Sequence, residues 1–450
     1  AYIVGGIVRD IILGRKNLDI DIVVEGPAIP FAQSVAKAAG AKITTYPQFG
    51  TATLHWPFGL RIDFVAARQE TYPHPGALPH VHAGTLRDDL FRRDFTINAM
   101  AVCLNCDRWG QLVDEFGGLQ DLQEKKIRVL HGQSFVDDPT RILRAVRFEQ
   151  RLDFQIEPLT LGFLTEALRP VGRLLSRRAS PEAGSLRPKA PRGEEEKVLD
   201  SFGRPSSVFQ TEVKGAPQSH PEVIPAINGG DKRGVDNVKP PRYFIEFKKM
   251  LAEEQPQRHL ARLKALGALR IVDTALKTDF RLLKQIQQRL SRMPKDIACT
   301  RWLIPLMAIT ETMSGAKLQG FLRKFPFRKE ESESIRQAAR SEHVLRKLAA
   351  PKLSRSQAYG ILKPLYQDTV AYLRLRASPK KVVQRVDQYL RHDAETRIDI
   401  DGEDLKRLGV SPGKKIGTIL QKVLLMKIDG RVRNREQQLA AAAALVGKAR

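Results

Sequence analysis

The chain has 450 residues, and at about 100–200 residues per domain this length calls for two to four domains rather than one. Lys and Arg number 75 against 50 Asp and Glu, a net charge of +25, an excess that points to a polyanionic partner. No apolar run approaches the ~20 residues of a spanning helix, so no membrane partner is expected, and three cysteines cannot build a disulfide framework, which favours a reducing compartment, cytoplasmic or organellar.

The sequence opens in a strand, "AYIVGG", with no initiator Met, as expected of a processed chain or a piece of a longer one. Short β-branched runs follow as far as residue 130: "DIDIVVEG", "AKITTY", "TATLHW", "RIDFVAA", "TINAMAVCL", "QLVDEF" and "KIRVL", with one amphipathic helix at "AIPFAQSVAKAAG". This pattern predicts an α/β or α+β sheet domain. Cys103 and Cys106 form a C-x-x-C without a second Cys/His pair nearby, and are read as a strand end and hairpin rather than a zinc site. From about Asp138 the pattern turns helical, with "PTRILRAVRFEQRL", "RYFIEFKKMLAEE", "RHLARLKALGAL", "FRLLKQIQQRLSRM" and "ESIRQAARSEHVLRKLA" all amphipathic. Residues 174–240 interrupt this order, being rich in Pro, Gly, Ser and charge without periodicity, and are expected to be a disordered insertion.

Chemistry concentrates near the start. Gly5 and Gly6 stand between a strand and a helix, where glycine lets backbone N–H groups approach phosphate oxygens. On the next strand, alternation places Asp19 and Asp21 on one face and Ile20, Ile22 and Val24 on the other. Adjacent carboxylates repel unless protonated, solvated at a sheet edge, or bridged by a cation, and Mg²⁺ favours sparse carboxylate ligation completed by water and phosphate. Asp63, mid-strand in "RIDFVAAR", is available as a third acid for a two-metal site, or for an ion pair with Arg61 or Arg68.

With these residues in order, the chain resembles the polymerase-beta-like nucleotidyltransferases, and within them the class II tRNA nucleotidyltransferases and their poly(A) polymerase relatives. The resemblance covers residues 1 to about 173 and resumes from about 240. It implies an α+β fold in which a nucleotidyltransferase head (1–130, mixed sheet with helices) is followed by an all-α neck, body and tail, divided at 131–173, 241–350 and 351–450. "GGIVRD…LDIDIVVEG" is similar to the family's first motif, making Asp19 and Asp21 the metal-binding catalytic pair and placing Gly5, Gly6 and Arg9 by the triphosphate. "RRDFTINAMA" is similar to the second, assigning Arg92, Arg93, Asp94 and Asn98 to the incoming ribose and phosphates. "DEFGGLQDL", with Asp114, Gly117, Gly118 and Asp121, resembles a springy element between head and neck.

"DDPTRILRAVRF" resembles the motif that reads the base edge, with Asp138 and Arg141 in that role and Arg144 and Arg147 on the same nucleotide site. A carboxylate accepts from an exocyclic amino group and a guanidinium donates to ring acceptors, so the pair suits C and A and rejects U and G. At i and i+3 on one helix both would face one way; Asp138 as N-cap with Pro139 at the first helical position is the compatible structural reading. Arg151 is expected outside this pocket. Arg68, Glu70 and Tyr72 match the flexible loop of family members that add A, which disfavours a CC-only product. The fifth motif is split by the insertion, and Arg242 and Glu246 restore its helix at i,i+4. The resemblance thus implies Mg²⁺-dependent, template-independent transfer from CTP and ATP to a tRNA 3′ end. The alternatives are A addition alone, polyadenylation, or an inactive RNA-binding homologue.

Overall fold

A computed structural model of the protein describes residues 1–74, 76–169 and 240–447. The insertion expected at 174–240 lies outside the described residues except for Pro240, which opens a helix. The chain divides into two compact units, Ala1–Glu246 with Ala265–Ala268, and Phe247–Lys264 with Leu269–Arg450.

The first unit is built on a mixed sheet. Its strands are β1 (Tyr2–Val4), β2 (Ile20–Val24), β3 (Lys42–Tyr46), β4 (Thr51–His55) and β5 (Arg61–Ala66), then β8 (Ala101–Cys103) and β9 (Leu112–Val113). The order across the sheet is β3-β4-β5-β2-β1-β8-β9, with β2 and β5 parallel and every other pair antiparallel. The C-x-x-C therefore begins at a strand end and enters a hairpin, as expected, with Cys103 buried and Cys106 exposed. Between β5 and β8 lies a separate two-stranded hairpin, β6 (Arg68–Thr71) with β7 (His80–Ala83).

Alternation in β2 sorts its side chains as the sequence predicts. Ile22 and Val24 join Ala52, Leu54 and Phe64 beneath α2 (Ala28–Ala39), whose Ala28, Ala32 and Ala36 at i,i+4 spacing give it a smooth buried stripe. Val23, pointing the other way with Asp21, packs against Tyr2, Val4 and the buried Leu86 and Leu90 of α3 (Leu86–Phe91). Residues 96–98, expected within a strand, form a short 3₁₀ turn instead. The cause is Asp94, whose Oδ1 accepts from the Phe95 N–H and the Asn98 side chain and folds the segment back.

After the sheet come α4 (Gly118–Gln123), β10 (Lys126–Ile127), α5 (Ser134–Asp137), α6 (Thr140–Leu152), β11 (Gln155–Ile156) and α7 (Pro158–Ala167). Asp114 caps α4 by accepting from the Gly118 and Leu119 N–H groups at 2.7 and 2.8 Å. A Cβ on Gly118 would stand 2.4 Å from the Thr96 carbonyl oxygen, so only glycine lets α4 approach the 96–98 turn. Asp121 reinforces the contact, accepting from Thr96 Oγ1 at 2.6 Å. The last helix to enter this unit, α8 (Pro240–Ala252), contributes residues through Glu246.

The second unit is helical throughout its described residues. One core gathers Leu348, Leu362, Leu373, Val382 and Val386, another Leu405, Ile419, Val423 and Val432. The pattern "ESIRQAARSEHVLRKLA", read as one helix, is two, Lys329–Ala338 and Ser341–Leu348. Arg340 leaves the helical region at φ −107°, ψ 10°, and the break lets the buried Ser341 hydroxyl donate to Glu311 at 2.5 Å.

Candidate active site

A cavity of about 590 Å³ in the first unit is lined by nearly all the residues singled out from the sequence. Its floor starts at the turn between β1 and α1 (Gly6–Ile12). Gly5 has φ 81°, a backbone conformation that favours glycine, and a Cβ there would stand 2.8 Å from Arg93 Nη1, so any other residue would also push that guanidinium aside.

Asp19 and Asp21 stand beside this turn. β2 is an interior strand between β1 and β5, so a solvated edge does not account for its carboxylates. Burial, then the neighbouring Asp19 charge, pushes the Asp21 carboxyl up to about 6. The third-acid expectation needs correction. Asp63 is the register partner of Asp21 across β2 and β5, yet its carboxylate accepts from Arg61 Nη2 at 2.6 Å and Thr53 Oγ1 at 2.5 Å. Asp63 does not line the cavity. Among the described residues no group of three or more His, Cys, Asp or Glu is placed to hold a metal. The ion-pair reading of Asp63 therefore prevails, because an arginine two residues away on the same strand face reaches it.

One wall is the segment 92–98. Asp89, fully buried, accepts from Arg92 Nη2 at 2.5 Å and Arg93 Nη2 at 2.8 Å. Asp94 accepts from Asn98 Nδ2 at 2.9 Å and from Arg144 Nε at 2.8 Å. Burial alone would raise its carboxyl; Arg144 and the Asn98 hydrogen bond outweigh that and hold it below the usual range. Asn98 Oδ1 in turn accepts from Arg9 Nη1 at 2.5 Å, and Arg9 Nε donates to Asp10 at 2.8 Å. Arg9, Arg144 and Arg147 surround the Phe148 ring at 5.0, 5.6 and 4.7 Å from its centroid, a cation–π cluster that fixes three guanidinium planes at once.

The loop expected at Arg68, Glu70 and Tyr72 is ordered by β6 and by a carboxylate. Glu70 Oε1 accepts from Arg68 and Arg92 at 3.0 and 3.1 Å, and Oε2 from the Tyr72 hydroxyl at 3.0 Å. Glu70 and Tyr72 line the cavity; Arg68 does not.

Asp138 and Arg141 also line it, but not as two positions of one helix. Asp138 is extended, at φ −131°, ψ 91°, and α6 starts at Thr140. Its residue precedes Pro139, which disfavours helical backbone. The N-cap position falls to Pro139, one residue later than expected, and Asp138 supports the helix start from before it: its Oδ1 accepts from Thr140 N and Oγ1 at 3.1 and 2.7 Å. Arg141 is buried, donating to Ser134 Oγ and the Arg92 carbonyl, both at 2.6 Å. The insertion has not displaced the resumed motif. Arg242 donates to Asp138 Oδ1 at 3.0 Å and to the Gly76 carbonyl at 3.2 Å, while Glu246 accepts from Arg144 and Arg147 at 3.2 and 3.1 Å.

Arg151, expected outside, lines the cavity. Its spacing from Arg144 and Arg147 along α6 keeps all three on one face. Reading motifs alone missed Asp10, Asp89, Ser134 and Phe148; only Asp89, at i,i+3 and i,i+4 from the two arginines, left a signal in the sequence.

The Poly A polymerase head domain family matches residues 1–128, and the putative tRNA nucleotidyltransferase domain 2 matches 300–443. The chain is 31% identical over 464 residues to the A-adding tRNA nucleotidyltransferase of Geobacter sulfurreducens, an alignment covering 100% of this chain and 45% of that protein. It spans about half or less of the curated relatives it matches. A solved CCA-adding enzyme in its apo form II is 30% identical with a TM-score of 0.71, covering 99% of this chain and 91% of the other. The Thermotoga maritima CCA-adding enzyme complexed with tRNA is 29% identical with a TM-score of 0.65, at 99% and 91% coverage; complexes of a CCA-adding enzyme with ATP and with CTP also match. Motif order, sheet topology and all three comparisons agree that the chain belongs to the family of class II tRNA nucleotidyltransferases and their poly(A) polymerase relatives.

Proposed function

We infer that the chain transfers nucleotides from ATP and CTP, without a template, to the 3′ end of tRNA, completing or repairing a CCA terminus or adding its A. The observation that carries this reading is the state of Asp138. Its Oδ1 is occupied by Thr140 and Arg242, whereas among the described residues no hydrogen bond uses Oδ2. One oxygen is thus anchored and the other is open to accept from an exocyclic amino group. Arg141, pinned by Ser134 and the Arg92 carbonyl, keeps further N–H donors for a ring acceptor beside that amino group. Cytosine and adenine offer this pairing of groups; uracil and guanine offer a carbonyl beside a ring N–H and would leave both residues facing like partners.

The donor set suits Mg²⁺: two neighbouring carboxylates that repel when both are ionised, without a full cage of protein ligands. Asp19 and Asp21 would hold it, and when bound it would lower the pKa of the attacking 3′-hydroxyl and offset triphosphate charge. The protein's own groups do the rest. The turn at Gly5 admits phosphate close to the backbone, Arg93 stands over that turn, and the Asp94–Arg144–Glu246 chain stiffens the wall that positions the sugar. The reading extends to a compartment where tRNA is matured, in keeping with three free thiols. Among the described residues no helix is long and apolar enough to cross a membrane.

The A-adding name of the Geobacter relative and the Glu70–Tyr72 contact both favour A within the product. Label transfer from each of the four nucleotides onto tRNA lacking CCA, tRNA ending in CC, and an oligoadenylate tests the reading. Mg²⁺-dependent extension of the tRNAs with C and A, or A alone, supports it; extension of all three RNAs with A alone would make the chain a poly(A) polymerase, and no extension at all an RNA-binding protein.

A further inference from the structure

The cations around the cavity fall into two groups. Arg9 is held by Asp10 and Asn98, Arg92 and Arg93 by Asp89, Arg141 by Ser134, Arg144 by Asp94, and Arg147 by Glu246. Lys16 and Arg151 line the same cavity, are exposed, and make no hydrogen bond or ion pair among the described residues. They come from different elements, the loop between α1 and β2 and the last turn of α6, yet they line the same cavity. Asn17, next to Lys16, donates to Asp10 Oδ2 at 2.8 Å, and Asp10 Oδ1 accepts from Arg9. Arg151 lies close enough to Arg9 for its charge to add to the burial that lowers the Arg9 pKa.

Positive charge is thus concentrated where protein carboxylates are already engaged: Asp10 is committed to Arg9 and Asn17, and Asp94 to Arg144 and Asn98. Bringing a further cation such as Arg151 beside the buried Arg9 costs free energy through repulsion, and a multivalent anion would relieve it. We propose that Lys16 and Arg151 form a phosphate-holding pair beside Arg9 in this cavity. The inference rests on the nucleotidyl-transfer reading, which brings two sources of phosphate to the cavity: the polyphosphate tail of the nucleotide, leaving as pyrophosphate, and the backbone of the RNA.

The test uses the whole chain carrying Lys16→Ala or Arg151→Ala, the charge-keeping Lys16→Arg and Arg151→Lys, and Lys42→Ala on the exposed β3 as a control for charge loss. Inorganic pyrophosphate and tRNA lacking its 3′ terminus are titrated separately by calorimetry, and KM for ATP is measured alongside. If the nucleotide supplies the phosphate, each alanine variant weakens pyrophosphate binding and raises KM about tenfold, leaving tRNA affinity unchanged. If RNA supplies it, tRNA affinity falls about tenfold with a salt slope smaller by about one, and pyrophosphate binding is unmoved. In either case the charge-keeping variants retain most of the affinity. The pair is refuted if both alanine variants hold both affinities within about twofold, or lose no more than Lys42→Ala. Pyrophosphate binding is read without turnover, so a chain that binds it through these residues but transfers no nucleotide would refute the proposed function and leave the pair standing.

Discussion

Arg144 in the first unit and Arg385 in the second are each held by three hydrogen bonds, to opposite kinds of partner. Arg144 meets carboxylates, two bonds to Asp94 and one to Glu246. Arg385 meets carbonyls, those of Leu348, Ala350 and Leu353, at 2.5, 2.8 and 3.0 Å, closing the C-terminal end of the helix Ser341–Leu348. The Asp94 charge, foremost among its neighbours, pushes the Arg144 pKa up and opposes the effect of burial. Carbonyls left behind by a lost arginine can be rehydrated at a modest cost, whereas buried carboxylates left behind remain charged in poor solvent. The same residue type therefore does two jobs: Arg144 balances anions beside a cavity, and Arg385 finishes a helix.

The largest effect should come from the anions that this balance leaves unpaired. Asp19→Ala and Asp21→Ala are each expected to lower nucleotidyl transfer about a thousandfold or more with tRNA affinity and folding preserved; turnover near that of the wild type in either variant would remove the pair from the chemistry. Arg144→Ala comes next, at about 3–5 kcal/mol in urea unfolding, because Asp94 and Glu246 lose a common partner. Asp138→Ala and Arg141→Ala should lower discrimination against UTP and GTP by about ten- to a hundredfold in competition assays; unchanged base preference in both would reduce the two residues to a helix cap and a structural arginine. For Arg385→Ala a smaller loss of about 1–2 kcal/mol is expected, with activity retained at low temperature. Equal losses for Arg144→Ala and Arg385→Ala would dissolve the comparison.

The smallest effect is a gain. In the metal-free protein Asp21 is raised to about 6 from 3.8, so the folded state binds more protons than the unfolded state between these values. Its contribution is therefore present at low pH and is lost as pH rises from about 4 to about 6, after which it stays constant. Asp21→Asn should stabilise the chain by about 1–2 kcal/mol at pH 7 in chelator, with the gain shrinking towards pH 4. Thermal unfolding across that range checks both the sign and the window; a gain that does not depend on pH would assign the effect to packing.

The strands of the sheet and the acidic pair were legible because alternation and glycine position act locally. The place of β2 within the sheet was not, since pairing with β5 and β1 depends on residues far along the chain. Asp63 was ambiguous in the sequence for a related reason: an acid flanked by arginines at 61 and 68 reads equally as ligand and ion-pair partner, and only the fold brings Arg61 and Thr53 to it together. The β6–β7 hairpin escaped notice because its strands are polar, with β7 exposed along its length, so they lack a hydrophobic period. Two errors were avoidable. Asp138 precedes a proline and so could not have been helical without strain, and Arg151 follows Arg144 and Arg147 at helical spacing.

The wall that Arg242 and Glu246 bring to the cavity has a consequence for the order of synthesis. The bonds joining them to Asp138, Arg144 and Arg147 span 104, 102 and 99 residues. At about 5–20 residues per second, a ribosome delivers Asp138 and α6 roughly five to twenty seconds before the helix that anchors them. During that interval Asp138 lacks the Arg242 guanidinium, and Arg144 and Arg147 lack the carboxylate they share. A nascent chain of this length can hold a folded sheet while the wall of the cavity is unfinished, so the cavity is completed late, when α8 docks.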